Sequence, residues 1–261
     1  MSKCVVTRER VGKALHLTIN RPEQRNALSN EVFVELRAGL AAAKADGSVR
    51  AVVLAGAGDK AFCAGGDLRQ MSEEGDELAA HRGRAGLAQV IRDLWELGKP
   101  TIARVQGYAL AGGFGLAAAC DFLVASERAV FGVPEARVGL WPYMITVPLM
   151  QSMPPKEALR LMLTGRRIDA VEGRRLGVVS DVVDHDNLDK AIADLVDELS
   201  LAAPQAVSLG RTTFYSALGN DVDARLRMLE ASLTVNLGLE DAKEGLAAFV
   251  QKRRPAWQGD S

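Results

Sequence analysis

Two glycine pairs and one glutamate are the residues whose types and spacing suit chemistry in this chain. Gly112-Gly113 lies in GYALAGGFGLAAACD (residues 107–121), before Leu116–Cys120, which holds only small and apolar residues. Adjacent glycines let the backbone turn sharply and let another group come close, because no Cβ intervenes. The unbroken apolar run after them suits a helix buried on all sides. A helix that starts at such a turn presents unpaired N–H groups and the positive end of its dipole, which favours developing negative charge. Gly65-Gly66, in KAFCAGGDL (60–68), repeats the pattern: an apolar strand, a glycine pair, then a helix start that Asp67 is suited to cap. Two such turns can aim two N–H groups at one oxygen, as an oxyanion hole does; singly, each is as readily a tight turn. Glu135 follows the strand-like Val130–Val133 in a stretch with few other charges. An apolar setting raises a carboxyl pKa toward neutrality and fits it to take and return a proton. Pairing with the nearby Arg137 would instead make it a surface ion pair, and the residues alone leave both readings open.

FCAGGDL, GYALAGGFGLAAACD and FGVPEARVGL, in order and compatibly spaced over about Asn20 to Arg254, resemble the crotonase superfamily of acyl-CoA enzymes, which includes the enoyl-CoA hydratases and isomerases. Any one of these motifs is weak; the three together are specific. The resemblance implies an α/β fold, a crotonase-like ββα spiral core with a helical C-terminal trimerisation region, and trimers commonly pair into hexamers. It implies an acyl-CoA thioester substrate and no cofactor, since coenzyme A is part of the substrate. Gly66 and Gly112 match the positions whose N–H groups hold the thioester oxygen, and Glu135 matches the FGxPE glutamate, which favours the acid–base role over the ion pair. Asn26, Ala27, Leu28 and Ala64 match backbone positions that hold adenine and pantetheine; Gly66, Asp67, Leu68 and Gly112 complete that side of the site. Lys252, in FVQKRRP, resembles a basic residue that reaches the CoA phosphate, and Phe249 a wall of the acyl-CoA site. By residue type alone, Lys252-Arg253-Arg254 is equally a solvated helix end that complements the dipole. Tyr143, in GLWPYMI, lies where other members place pocket residues; it is read as a supplement to Glu135, with a core or rim tyrosine equally open.

One departure stands out. Hydratases of the family carry a second glutamate shortly after the glycine pair, and the matching residue here is Gly115, which cannot move a proton. One-carboxylate chemistry is intact, and members with a single glutamate at the Glu135 position include Δ3,Δ2-enoyl-CoA isomerases. The expected activity is therefore a double-bond shift of 3-enoyl-CoA to 2-enoyl-CoA, with enoyl-CoA hydratase (a lyase) as the alternative. A thioester hydrolase or decarboxylase would use the same oxyanion hole with other groups. A serine peptidase of a related spiral fold would need serine and histidine beside the glycine turns, where Phe114, Gly115 and Leu116 stand. A non-catalytic acyl-CoA-binding homologue is motivated by Gly115 and opposed by Glu135 and both turns.

The elements that must position these residues are legible in outline. Cys4–Thr7 and Ala14–Asn20 read as a hairpin around Gly12-Lys13, and Ser29 as the cap of a helix to about Ala45. Arg50–Ala55 reads as a buried strand. The following Gly56-Ala57-Gly58-Asp59-Lys60-Ala61 fits the dinucleotide pattern GxGxxA, but a second glycine pair falls where that motif needs a helix. Glu73–Leu97 reads as a surface helix or lid, with His81 on its polar side. Strand, turn, short strand and helix recur from near Arg50, Thr101 and Phe122, and such repeats stack into a spiral of parallel ladders. The chain turns helical from about Pro154. The spiral core with the acyl-CoA site is assigned to 1–200, and the C-terminal helical region, which assembles subunits and covers the CoA site, to 201–261.

Composition narrows the classes. With 261 residues, 32 basic and 33 acidic side chains and a net charge of −1, no basic field argues for nucleic acid. Apolar residues make up 48% and aromatics 5%, so the core must be aliphatic and alanine-rich. No run reaches a membrane span, and no signal-peptide core is expected in MSKCVVTRER. Cys4, Cys63 and Cys120 are widely spaced with no CxxC, which suggests neither a disulfide framework nor a metal site and fits a reducing, cytoplasmic setting. Cys63 reads as a small buried hydrophobe near the ligand loop.

Overall fold

The alternation in ALHLTI around Gly12-Lys13 gives the expected hairpin, β1 (Val6–Val11) antiparallel to β2 (Ala14–Ile19). β1 runs beyond the Cys4–Thr7 stretch read from sequence. Arg8, Glu9 and Arg10 break the apolar alternation because they stand exposed on an edge strand, where charge discourages further pairing. The computed structural model describes residues 4–67, 77–219 and 222–258, the side chains at 77–84, 222, 223 and 225 excepted. Ser29 caps α1 (Asn30–Ala45), its hydroxyl accepting the Val32 N–H at 3.4 Å.

From Ala51 one unit repeats three times, each a longer and a shorter strand. The pairs are β3 (Ala51–Gly56) with β4 (Ala61–Cys63), β5 (Thr101–Val105) with β6 (Tyr108–Leu110), and β7 (Phe122–Ser126) with β8 (Val130–Gly132). Among the described residues, α2 (Glu77–Trp95) follows the first pair, α3 (Gly112–Ala118) the second, and a 3-10 turn, Glu135–Val138, the third. The longer strands stack in parallel within a six-stranded sheet of order β1-β2-β3-β5-β7-β10, where β10 is Asp181–Val183. The shorter ones stack in a second sheet of order β4-β6-β8-β9, with β9 (Arg167–Asp169) antiparallel at its edge. This is the ββα spiral of a mixed α/β fold. The GxGxxA stretch passes from β3 into β4 with no helix, and its carbonyls turn inward: Asn26 Nδ2 donates to Ala57 and Ala61, Gln106 Nε2 to Gly56, Gly58 and Ala61.

Alternate residues of β3 serve two cores. Val52 and Leu54 face the main core with α1, α2 and α3, while Ala51 and Val53 join Leu188, Ile192 and Val196 of α7 (Leu188–Leu199) on the other face. The chain becomes helical earlier than Pro154. α4 (Tyr143–Ser152) precedes α5 (Pro155–Thr164), with Pro142 at the N-cap of α4 and Pro148 in its interior. Pro148 lacks an N–H for the helix ladder, yet it and Leu149 are buried, so packing holds the helix through it. α6 (Ala170–Leu176) follows, and α8 (Pro204–Ala217), α9 (Val222–Gly238) and α10 (Glu240–Val250) end the chain's helices.

A buried polar knot fastens α8 to the spiral. Asp121 accepts from Arg211 Nε at 2.7 Å, from the Tyr215 hydroxyl at 2.7 Å and from the Thr101 N–H at 2.7 Å. Arg211 also donates to the Trp95 carbonyl, and Tyr215 stacks on the Trp95 ring. Among the described residues no helix is long and apolar enough to cross a membrane.

Candidate active site

Three short parallel strands bring the glycine pairs and the glutamate to one edge. Gly66 follows β4 by three residues, Gly112 follows β6 by two, and Glu135 follows β8 by three. Leu110 stands opposite Gly132, and the Ala111 N–H donates to the Gly132 carbonyl at 2.9 Å, so the Gly112 turn and the approach to Glu135 are locked side by side.

The two glycine turns also touch. A methyl group on Gly65 (φ +102°) would lie 2.6 Å from Ala111 Cβ, 3.2 Å from the Leu110 carbonyl and 3.4 Å from Gly112 N; one on Gly113 would overlap the Cys63 carbonyl. Only glycine permits this approach. Cys63 lies fully buried in the seam, accepts the Gly65 N–H at 3.4 Å, and has its thiol pushed up to about 12 by burial. It is an inert hydrophobe. Ala111, the N-cap of α3, is held at φ 51°, ψ −131°, by its N–H bond to Gly132 and by accepting the Gly115 N–H at 3.2 Å. Such a conformation costs a residue with a side chain about 1–3 kcal/mol. Among the described residues the Gly66 and Gly112 N–H groups have no backbone acceptor, as donors awaiting a substrate oxygen must.

Glu135 opens its 3-10 turn at the end of that ladder, half-buried, and its Oε2 is enclosed with no hydrogen-bond partner among the described residues. Burial raises its pKa above the ordinary carboxylate range, opposed by a smaller hydrogen bond from its own backbone. Arg137 does not pair with it: both its Nε and an Nη donate to the Thr164 carbonyl at the end of α5. The surface ion pair is thereby set aside. Tyr143 is 72% exposed at the start of α4, and since Glu135 Oε2 has no partner, the phenol does not bond to that oxygen.

Gly115 lies on the buried face of α3, against α4. A methyl group there would overlap Ile145 Cγ2 and Cβ and lie 3.2 Å from Ile145 Cα. Ile145 is 2% exposed. The space a second carboxyl group would leave from is filled by a branched apolar side chain.

The remaining expected site residues divide. Asn26, Ala27, Leu28, Ala64 and Asp67 form one loop assembly beside the first glycine turn: Leu28 N–H donates to the Gly65 carbonyl, Asp67 N–H to that of Leu28, and Ala64 N–H to that of Arg25. The Asn26 side chain is fully buried, accepting the Arg21 N–H and donating to two carbonyls, so it braces the loop and is spent for ligand contact. Leu68 and the start of the lid stretch at 73–76 lie outside the described residues, as does the His81 side chain. Phe249 and Lys252 are not gathered with the glycines within one chain. α10 packs on α8 and α9, Phe249 is 83% exposed, and Lys252 is exposed at φ 54°. Three residues went unread in the sequence. Arg21 clamps the loop by donating to the Ala27 carbonyl at 2.7 Å and to Asp67 at 2.9 Å. Ala111 and Ile145 are the others; a residue before a glycine pair that must take positive φ was the one local signal available.

The family model described as enoyl-CoA hydratase/isomerase matches residues 10–260. The chain is 36% identical to (E)-benzylidenesuccinyl-CoA hydratase of Thauera aromatica over 97% of this chain and 99% of that one. It is 33% identical to carnitinyl-CoA dehydratase of Proteus mirabilis (strain HI4320), covering 95% and 96% of the two chains. Among solved structures, enoyl-CoA hydratase of Mycobacterium smegmatis superposes with a TM-score of 0.92 at 34% identity, covering 98% of this chain and all of the other.

Proposed function

The chain belongs to the enoyl-CoA hydratase/isomerase family, and we propose that the reaction it favours is the shift of a 3-enoyl-CoA to the 2-enoyl-CoA. One observation carries this reading: Glu135 keeps an enclosed oxygen with no hydrogen-bond partner among the described residues, while the Gly115 position is packed shut by Ile145. Isomerisation needs one proton carrier. Glu135 takes a proton from C2, the electron pair moves into the thioester to form a dienolate, and the negative oxygen accepts the Gly66 and Gly112 N–H groups. The same carboxyl group then returns the proton at C4 and leaves the double bond between C2 and C3. Each hole donor is worth about 2.7–4 kcal/mol in sites of this kind, and a positioned acid–base group about 10²–10⁴ in rate. The raised pKa of Glu135 suits both directions of transfer.

Hydration of a 2-enoyl-CoA is the second reading, favoured by the hydratase and dehydratase activities named for the relatives. With Glu135 delivering the proton to C2, it needs another group to take a proton from the attacking water. A binding protein without turnover would have no use for a desolvated, unpartnered carboxyl group. The loop of Asn26, Ala27, Leu28, Ala64, Asp67 and Leu68 is assigned to the CoA side. A trimer or hexamer is supported by exposed apolar side chains on the C-terminal helices, among them Phe214, Leu226, Leu233, Leu246, Phe249 and Val250. It would let Phe249 and Lys252 serve a neighbouring subunit's site, and light scattering showing a stable monomer would overturn it. Cytoplasmic placement remains part of the proposal.

The deciding experiment compares 3-enoyl-CoA isomerisation with 2-enoyl-CoA hydration at equal chain length on the purified protein. Faster isomerisation is expected; faster hydration would replace the first reading with the second.

A further inference from the structure

We infer that Ile145 is the specificity-determining residue of this site, and that it acts by filling the space beside Gly115. This inference rests on the isomerase reading above and adds to it the residue responsible. Gly115 sits in the first turns of α3, three residues beyond the Gly112 donor, where a side chain would project from a helix anchored at the glycine seam. Helix α4 crosses it, and Ile145 presses Cβ and Cγ2 into the volume of the missing Cβ, its backbone Cα only 3.2 Å from that point. The Ile145 χ1 torsion is stiff because its Cβ is branched, and in a helix one rotamer dominates. The neighbouring core gives it nowhere to go: Phe114, Leu116, Leu149 and Met162 are all at or below 2% exposure. Position 115 is therefore closed to any side chain while residue 145 keeps a branched Cβ, whatever chemistry the side chain would bring.

The consequence for the reaction is direct. Hydration sends the water oxygen to C3 and a proton to C2, and the water's other proton must be taken by a base. With Glu135 as the protonated partner that supplies C2, the base has to be a second group. A carboxylate at position 115 would accept that proton as the C3–O bond forms, leaving Glu135 ionised, and solvent exchange would restore both groups. The Ile145 wall removes both the place for that base and the polar surface on which a water would be held. The absence of a carboxylate at position 115 and the apolar side chain that fills its place are thus one coupled feature, spread over two helices.

The test is a four-member cycle: wild type, Gly115→Glu, Ile145→Ala and the double variant, each measured for Tm, isomerisation and hydration. Overpacking at a well-filled site predicts that Gly115→Glu alone lowers Tm by about 5–10 °C and gains no hydration. In the Ile145→Ala background the same glutamate should cost at most about half that fall, because the truncated side chain vacates the space. Hydration by the double variant should exceed that of either single variant by about a hundredfold, the lower end of what a positioned acid–base group supplies. If Gly115→Glu is as stable as wild type, or costs the same in both backgrounds, Ile145 does not close the position and the inference falls. If the double variant regains stability and hydration does not rise, Ile145 is packing alone and its role in specificity falls. Failure of the isomerase reading shows separately, as a wild type that hydrates faster than it isomerises; the stability cycle stands independently of that result.

Discussion

Replacing Gly65 by alanine tests whether the contact between the two glycine turns builds the oxyanion hole. Two costs add at this position. Gly65 has φ +102°, a backbone conformation that a residue with a side chain holds only at about 1–3 kcal/mol. The new methyl group also meets Ala111 Cβ at 2.6 Å, with the Leu110 carbonyl and Gly112 N close behind, and overpacking of this kind costs about 1–3 kcal/mol. The expected loss of stability is large enough to lower Tm by roughly 5–15 °C in a chain of this size. The effect on turnover should exceed what unfolding explains. Relief of the clash must push the Gly65-Gly66 turn away from Ala111-Gly112, and misaiming one hole donor costs at least about a hundredfold in kcat. Thermal melts and kcat on an enoyl-CoA substrate, assayed well below Tm, read the two effects apart. A companion arm uses Ala111→Gly, which removes the facing Cβ and relieves the strained N-cap; Gly65→Ala should cost less in that background. A Gly65→Ala protein with unchanged Tm and near-normal kcat would refute the reasoning, since the seam would then be a turn with no part in aiming the donors.

Glu135→Gln should cut turnover by about 10²–10⁴ while raising stability at neutral pH. Burial raises the Glu135 pKa, so the folded protein keeps this proton where the unfolded chain has lost it, and the wild type loses stability as pH rises from the ordinary 4.5 toward the folded value. The Tm advantage of the variant should therefore be least near pH 4 and grow toward pH 7; a pH-independent difference would sink the account. Arg211→Met should destabilise by about 3–5 kcal/mol, because it strips a charge partner from Asp121 at a site where the two side chains are 8% and 16% exposed. Denaturant melts check this, and a loss below about 1 kcal/mol, the scale of an exposed pair, would mean the knot does not hold α8.

What the sequence determined was local or repeated. The glycine pairs announce sharp turns because glycine alone tolerates the φ and close approach they need. The alternation and apolar runs of Ala14–Ile19, Ala51–Gly56 and Thr101–Val105 announce strands whatever surrounds them. Strand-turn-strand units recurring along the chain imply a spiral, since each unit must bury its apolar edge on the next. The edge strand past Thr7 and helix α4 were hidden because exposed charges and an interior proline run against local propensity, and packing overrides both. What the tertiary structure decided were choices among partners. Arg21 finds Asp67 46 residues on, and Asp121 finds Arg211 and Tyr215 90 and 94 residues on. Arg137 turns from Glu135 to the Thr164 carbonyl, and Ile145 lands on Gly115. Such contacts depend on how successive turns of the spiral stack and how a crossing helix is rotated. They are fixed by the sum of burial over the whole core, and no residue type or spacing near Glu135 or Gly115 encodes them.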